Sequence, residues 1–220
     1  MKNLKWTAIP LALALAAIVP AAAFADTAQT PQQGLAAPQG LGDCFWSHVS
    51  EADKADFAAT FHTAVAGGLS QHSADISHWV QQKNATWDQA IAQCDAHPKI
   101  PKRLSFALVA AQFEQYGAFH ELADNAQITR DELDQTWAKA PEAARQCERA
   151  QAGMTLGGTT LTCPDTSALS WFVNDLRTRH TLDQRRDTLM VFSYMGDKAR
   201  SEVAEAKIAD FDKTGKSNVH

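Results

Sequence analysis

The longest apolar pattern after the N-terminus runs from Leu104 to Ala123, LSFALVAAQFEQYGAFHELA, bounded by Pro101 and by the polar pair Asp124-Asn125. At 3.6 residues per turn, Leu104, Leu108, Ala111, Ala118 and Leu122 share one face, and Phe106, Val109, Phe113 and Tyr116 form a stripe beside it. Two adjoining stripes predict a helix covered on most sides. Burying its large side chains contributes roughly 10–20 kcal/mol. Ordering the segment costs about 20–40 kcal/mol in backbone entropy. It therefore needs helical partners, and the flanking sequence is patterned to supply them.

Ser50-Glu51-Ala52-Asp53 predicts an N-cap with acids in the first turn, opening a helix to about Val65 with Phe57, Phe61 and Val65 as its buried stripe. Gly67-Gly68 ends it. Ser73 is read as the cap of a second helix whose Ile76, Trp79 and Val80 face inward, and Thr86-x-x-Gln89 as the capping box of a short helix ending near Cys94. His97-Pro98 breaks the chain before the central segment. Beyond it, Thr129-x-x-Glu132 is a capping box leading into Leu133 and Trp137, and Pro141 at N1 opens a helix carrying Cys147. The Gly- and Thr-rich stretch Gly153–Cys163 reads as a small hairpin, near 154–162, or an ordered loop. Thr166–Arg179 returns to helix with Leu169, Phe172, Val173 and Leu176 on one face. Thr181-x-x-Gln184 caps a last helix from Leu182 to about Phe211, anchored by Leu189, Phe192 and Met195. Gly196 sits inside that helix, where it marks a kink or close packing. The pattern predicts an all-α bundle of six to eight helices around 104–123.

The first 25 residues change this picture. Lys2 and Lys5, the apolar run Ile9–Pro20 and Ala23-Phe24-Ala25 have the three parts of an export signal with an A-x-A cleavage site near Ala25. The domain plan is then signal 1–25, a Gln/Pro/Gly-rich leader 26–43, one helical domain 44–211 and a polar tail 212–220. Removing the signal takes away two lysines and no acid, so the net charge moves from −5 to −7. That balance argues against nucleic-acid binding, and no later run is apolar enough to span a bilayer. The compartment expected is periplasmic or secreted. Four cysteines in an exported chain, Cys44, Cys94, Cys147 and Cys163, predict two disulfides. Of three pairings, Cys147–Cys163 with Cys44–Cys94 is favoured because the first closes a short local loop. No C-x-x-C seeds a metal site.

Candidate chemistry is sparse. Glu114 and Glu121, two turns apart and about 10.5 Å along the axis, would serve as acid and base if their shared face borders a cleft, as paired carboxylates do in glycoside hydrolysis. Their bland reading is a solvated strip. His120-Glu121 fails the H-E-x-x-H pattern at Asp124. His72-x-x-Asp75-x-x-His78 drifts around a helix, and His72 lies outside it if Ser73 is the cap. Gly68–His72 lacks the second glycine of a nucleophile elbow, Gly157–Thr160 lacks the Lys-Ser/Thr of a phosphate loop, and Asp210–Gly215 opens a calcium-type loop that the sequence does not complete. Arg177, Arg179, His180, Arg185 and Arg186 form the one basic cluster, suited to an anionic ligand or an acidic partner, or to helix ends and internal ion pairs. Five tryptophans outside the signal, Trp46, Trp79, Trp87, Trp137 and Trp171, either line an apolar pocket or fill the core. No cofactor and no metal is expected. The pattern favours a non-enzymatic binding or interaction protein of the bacterial cell envelope, its partner an envelope protein or an anionic ligand. A glycan or peptide hydrolase using Glu114 and Glu121 is the alternative, and a carrier of a small apolar molecule the third.

Overall fold

A computed structural model describes residues 40–67, 69–94, 100–156, 162–182 and 185–214. Residues Ala37–His220 form one compact unit. The described residues contain nine α-helices and no strand: α1 (Leu41–Ser47), α2 (Glu51–Gly67), α3 (Leu69–Gln82), α4 (Asn84–Ala92), α5 (Lys102–Ala126), α6 (Arg130–Lys139), α7 (Glu142–Thr155), α8 (Ser170–Arg177, after a 3₁₀ turn at Thr166–Leu169) and α9 (Arg185–Thr214). The all-α expectation holds, around α5 as predicted. The first described helix starts at Leu41, three residues ahead of Cys44, and α9 runs to Thr214. The described helices include none long and apolar enough to cross a membrane.

The start signals succeed where a side chain closes the first turn. Ser50 Oγ accepts from the Asp53 N–H at 3.1 Å and donates to Asp53 Oδ2, which sets α2. At α6 the capping box is complete, with the Glu132 N–H on Thr129 Oγ1 and the Thr129 N–H on Glu132 Oε2. Those Thr129 bonds, with His180 beside them, hold the Glu132 carboxyl down to about 2.

The sequence pattern misleads at five places, one of them the start of the last helix, since α9 is Arg185–Thr214 and the expected first residue Leu182 lies outside it. Thr86 lies inside α4, which begins at Asn84 after Lys83, so Thr86-x-x-Gln89 is intrahelical spacing and not a cap. Helix α3 begins at Leu69, placing His72 within it and Ser73 past its first turn. Pro141 is the residue before α7, one position outside the predicted N1. Gly153, Met154 and Thr155 belong to α7, where the expected hairpin would begin; residues 157–161 of that expectation lie outside the described residues. Packing overrides the weak helix propensity of Gly and Thr here. Leu156 closes the helix among Leu104, Leu108, Ala204 and Ile208.

Both favoured disulfides are present, Cys44–Cys94 and Cys147–Cys163. Loop entropies for separations of 50 and 16 residues correspond to about 4 and about 3 kcal/mol. Bridges of this kind fit an oxidising compartment, as in a secreted or periplasmic chain.

The core gathers on two sides of α5. On one, Phe113 is ringed by Phe45, Trp46, Phe57, Trp79 and Trp87 at centroid separations of 4.8–6.2 Å. The Trp79 and Trp87 indole N–H groups donate to Asp56 and to the Val80 carbonyl, so these large side chains fill the interior with their polar ends satisfied. Gly117, one turn on, lets α2 approach so closely that a Cβ there would overlap the Phe61 ring. On the other side α5 makes its most extensive pairing, with α9, and α7 packs against α9 beside it. That seam is polar: Gln112 Nε2 donates to Ser201 Oγ at 2.8 Å and Gln115 Nε2 to the Asp197 carbonyl at 3.2 Å. The chain leaves α5 through Gln127, left-handed at φ 55°, with Ile128 N–H bonded back to Leu122.

Candidate functional site

Where α5, α7 and α9 meet, Glu114, Glu148, Gln151, Ser193, Asp197 and Arg200 border a cavity of about 210 Å³. Each helix brings its group there through its own spacing. In α7, Glu148 lies between Ala144 and Ala152 on the buried stripe; in α9, Asp197 lies among Tyr194, Ser201, Ala204 and Ile208 on another. Gly196 faces Glu148, and a Cβ there would stand at ordinary contact distance, 3.5 Å, from Glu148 Oε2.

The charges are unevenly matched. Arg200 Nη1 donates to Glu114 Oε1 at 3.3 Å, and its Nη2 lies 3.0 Å from Asp197 Oδ1. Ser193 Oγ donates to Asp197 Oδ2 at 3.3 Å, yet Oδ1, fully buried, accepts no hydrogen bond of regular geometry. Burial, reinforced by the Glu114 charge, pushes the Asp197 carboxyl well above the usual carboxylate range. The Asp197 charge in turn raises the Arg200 guanidinium. Glu148, only 4 % exposed, has no hydrogen bond or ion pair with any described residue, and burial alone raises its carboxyl to about 7. A buried carboxyl with no donor is costly when ionised.

A second polar cavity of about 260 Å³ involves Gln112, Asp134, Lys198, Ser201, Glu202 and Glu205. Its half-buried acids are engaged: Asp134 by Tyr194 and Lys198, Glu202 by Trp137 and Arg149, Glu205 by the Gly42 N–H; Asp43, also on its wall, is exposed. That satisfaction distinguishes it from the Glu148 cavity.

The acid pair read from the sequence divides. Glu114 joins the cavity, but Glu121 does not border it. Glu121 is buried under His62, whose Nδ1 lies 2.7 Å from Oε1, and under Arg186, which reaches Oε2. The basic cluster spreads over internal partners. Arg179 binds Asp175 and Thr136, His180 binds Glu132 at 2.8 Å, Arg186 binds Glu121, and Arg177 reaches Thr188 at 3.4 Å. Arg185 is exposed. Trp79 and Trp87 are buried around Phe113, with half-buried Trp46 beside them, and Trp137 is stacked on Phe172 at 5.7 Å; Trp171 is half-buried at the edge of Phe172. The cavity that reaches Trp87 is bordered otherwise by Asn84, Asp88, Lys102 and Arg103 as well as Phe106 and Val109, a mixed wall.

Among the described residues, metal-type donors within 4.8 Å of one another occur at Cys44, His48 and Cys94. Both sulfurs are spent in the disulfide, so no thiolate is left to bind a metal. Glu148 and Asp197 are the residues that reading the sequence for motifs does not reach. Their signal is an acid placed at helical spacing inside an apolar stripe, where an exposed face is not on offer. No protein-family model matches this chain, and neither a curated protein nor a solved structure matches it.

Proposed function

We propose that this chain is an exported, non-enzymatic binding protein of the bacterial cell envelope, released by cleavage near Ala25 into the periplasm or the exterior, and that its ligand site is the cavity between α5, α7 and α9. The observation that carries this reading is Glu148: a buried carboxyl, open to a cavity, without a partner among the described residues. Proteins bury unpartnered charge where something else completes it. The basic cluster is less suited to the role, since Arg179, His180 and Arg186 already hold acids.

Native mass spectrometry of the mature protein, purified from the cells that export it, tests the reading. The expected result is added mass that disappears on denaturation and is missing from Glu148→Gln. A bare protein in repeated preparations, or the same added mass in the variant, overturns it.

A hydrolase remains the second reading, because a carboxyl titrating near about 7 beside two others is suited to a general acid. On this geometry it would use Glu148 with Glu114 or Asp197, not Glu121. It predicts release of reducing ends or peptides from purified cell wall, abolished by Glu148→Gln with folding intact.

A further inference from the structure

The geometry points to an organic cation bearing an ammonium or guanidinium group as the ligand of the Glu148 cavity. This rests on the binding reading above and names the chemistry of its ligand.

Charge sets the sign. Glu114 comes from α5, Glu148 from α7 and Asp197 from α9, against one guanidinium, Arg200. Both terminal nitrogens of Arg200 are already directed at Glu114 and Asp197. Arg200 therefore offers nothing to Glu148, and an anionic ligand would meet three carboxyls with no free cation to receive it.

Donor geometry selects the kind of cation. A bare metal ion needs its ligand atoms converging around one point at about 2.0–2.6 Å. The three carboxyls are not gathered within 4.8 Å of one another, as metal-type donors at Cys44, His48 and Cys94 are. A nitrogen cation instead directs several N–H groups outward and spans acceptors that lie apart. It would donate to Glu148, which has no partner among the described residues, and reach toward Glu114 across the cavity.

Shape agrees. At about 210 Å³ the cavity is smaller than a drug-sized pocket of roughly 300–1,000 Å³, suited to one head group with a short aliphatic arm. Gly196 keeps the space opposite Glu148 open, because any larger residue there would project toward the carboxylate.

Isothermal titration of the mature protein tests this with putrescine and agmatine as probes and calcium, zinc and inorganic phosphate as controls. The expected result is 1:1 binding of at least one amine probe, weakened tenfold or more by Glu148→Gln. That variant keeps the fold because it replaces a carboxyl that no described residue binds, and an unchanged or raised melting temperature confirms it. Glu114, Asp197 and Arg200 face Glu148 across the cavity, so affinity for the amine rises between about pH 6 and pH 8 as the carboxyl near 7 ionises, and this rise is absent in Glu148→Gln. Binding of calcium, zinc or phosphate in place of the amines overturns the cation class and leaves the binding protein standing. Amine binding equal in wild type and Glu148→Gln overturns the site. No binding by any probe, with denaturation-sensitive mass still present in the native spectrum, refutes the amine class alone; with a bare native spectrum it refutes both readings.

Discussion

Phe113 and Glu114 are neighbours on α5, and they face opposite kinds of surroundings. Phe113 sits at the centre of five aromatic rings, fully buried, with nothing polar left to satisfy. Glu114 looks across a seam where carboxyls outnumber cations and a cavity remains. The aromatic side is dense and stabilises the fold through burial. The carboxylate side holds charge in low dielectric and gives stability away. Where a protein gives stability away on one side of its central helix, that side is where function is to be sought.

The largest test of this contrast is Phe113→Ala. Removing the ring that all five neighbours share leaves a cavity that the surrounding rings cannot close, and the expected loss is about 3–5 kcal/mol in urea unfolding. A loss under about 1 kcal/mol would mean the ring cluster repacks freely and the dense side is not dense.

Glu148 on the other side predicts the opposite sign. Its carboxyl is raised from 4.5 to about 7 in the folded state, so between those values the folded chain holds a proton that the unfolded chain has released. Stability therefore falls as pH rises through this window, and the contribution is complete above the folded value. A shift of that size corresponds to roughly 3 kcal/mol. Glu148→Gln does not ionise, so the variant exceeds wild type by roughly this amount at pH 8 and the advantage shrinks toward pH 5. Urea unfolding of both proteins across that range checks it. Parallel pH profiles would show that the carboxyl is solvated after all.

The dense side was the more legible in sequence, for a physical reason. Phe57 and Phe61, Ile76 and Val80, and Phe113 repeat at helical spacing, and burial of apolar area is additive, so each residue announces its own fate. The Ser50 and Thr129 caps are equally local, each a bond between residues three apart. Thr86-x-x-Gln89 has the same spelling without the bond, because i and i+3 are also neighbours within a helix that already began at Asn84. The cavity could not be spelled this way. Its carboxyls lie at 114, 148 and 197, and what makes Glu148 unusual is the absence of a partner among the described residues, which is a property of the packed helices. Glu114 and Glu121 look like a pair on one helix, yet they part because different neighbours, Arg200 and Arg186, reach them.

Two glycines carry the comparison down to a single methyl group. Gly117 lies where α2 closes on α5, and the methyl of Gly117→Ala would occupy the space of the Phe61 ring, itself fully buried. Overpacking of this kind costs about 1–3 kcal/mol, measured as a lower urea midpoint with unchanged slope. Gly196→Ala meets only Glu148 Oε2 at 3.5 Å, a contact the structure tolerates. The new methyl removes the backbone-entropy cost of a glycine inside a helix, worth up to ~1 kcal/mol. Some of that is returned, because the methyl further desolvates the Glu148 carboxylate, which costs most at high pH. The expected outcome is a small gain in stability at pH 5 that narrows by pH 8. A loss at both pH values as large as that of Gly117→Ala would mean α7 and α9 are as tightly closed as α2 and α5, and the cavity beside Glu148 would then be too small to hold a ligand.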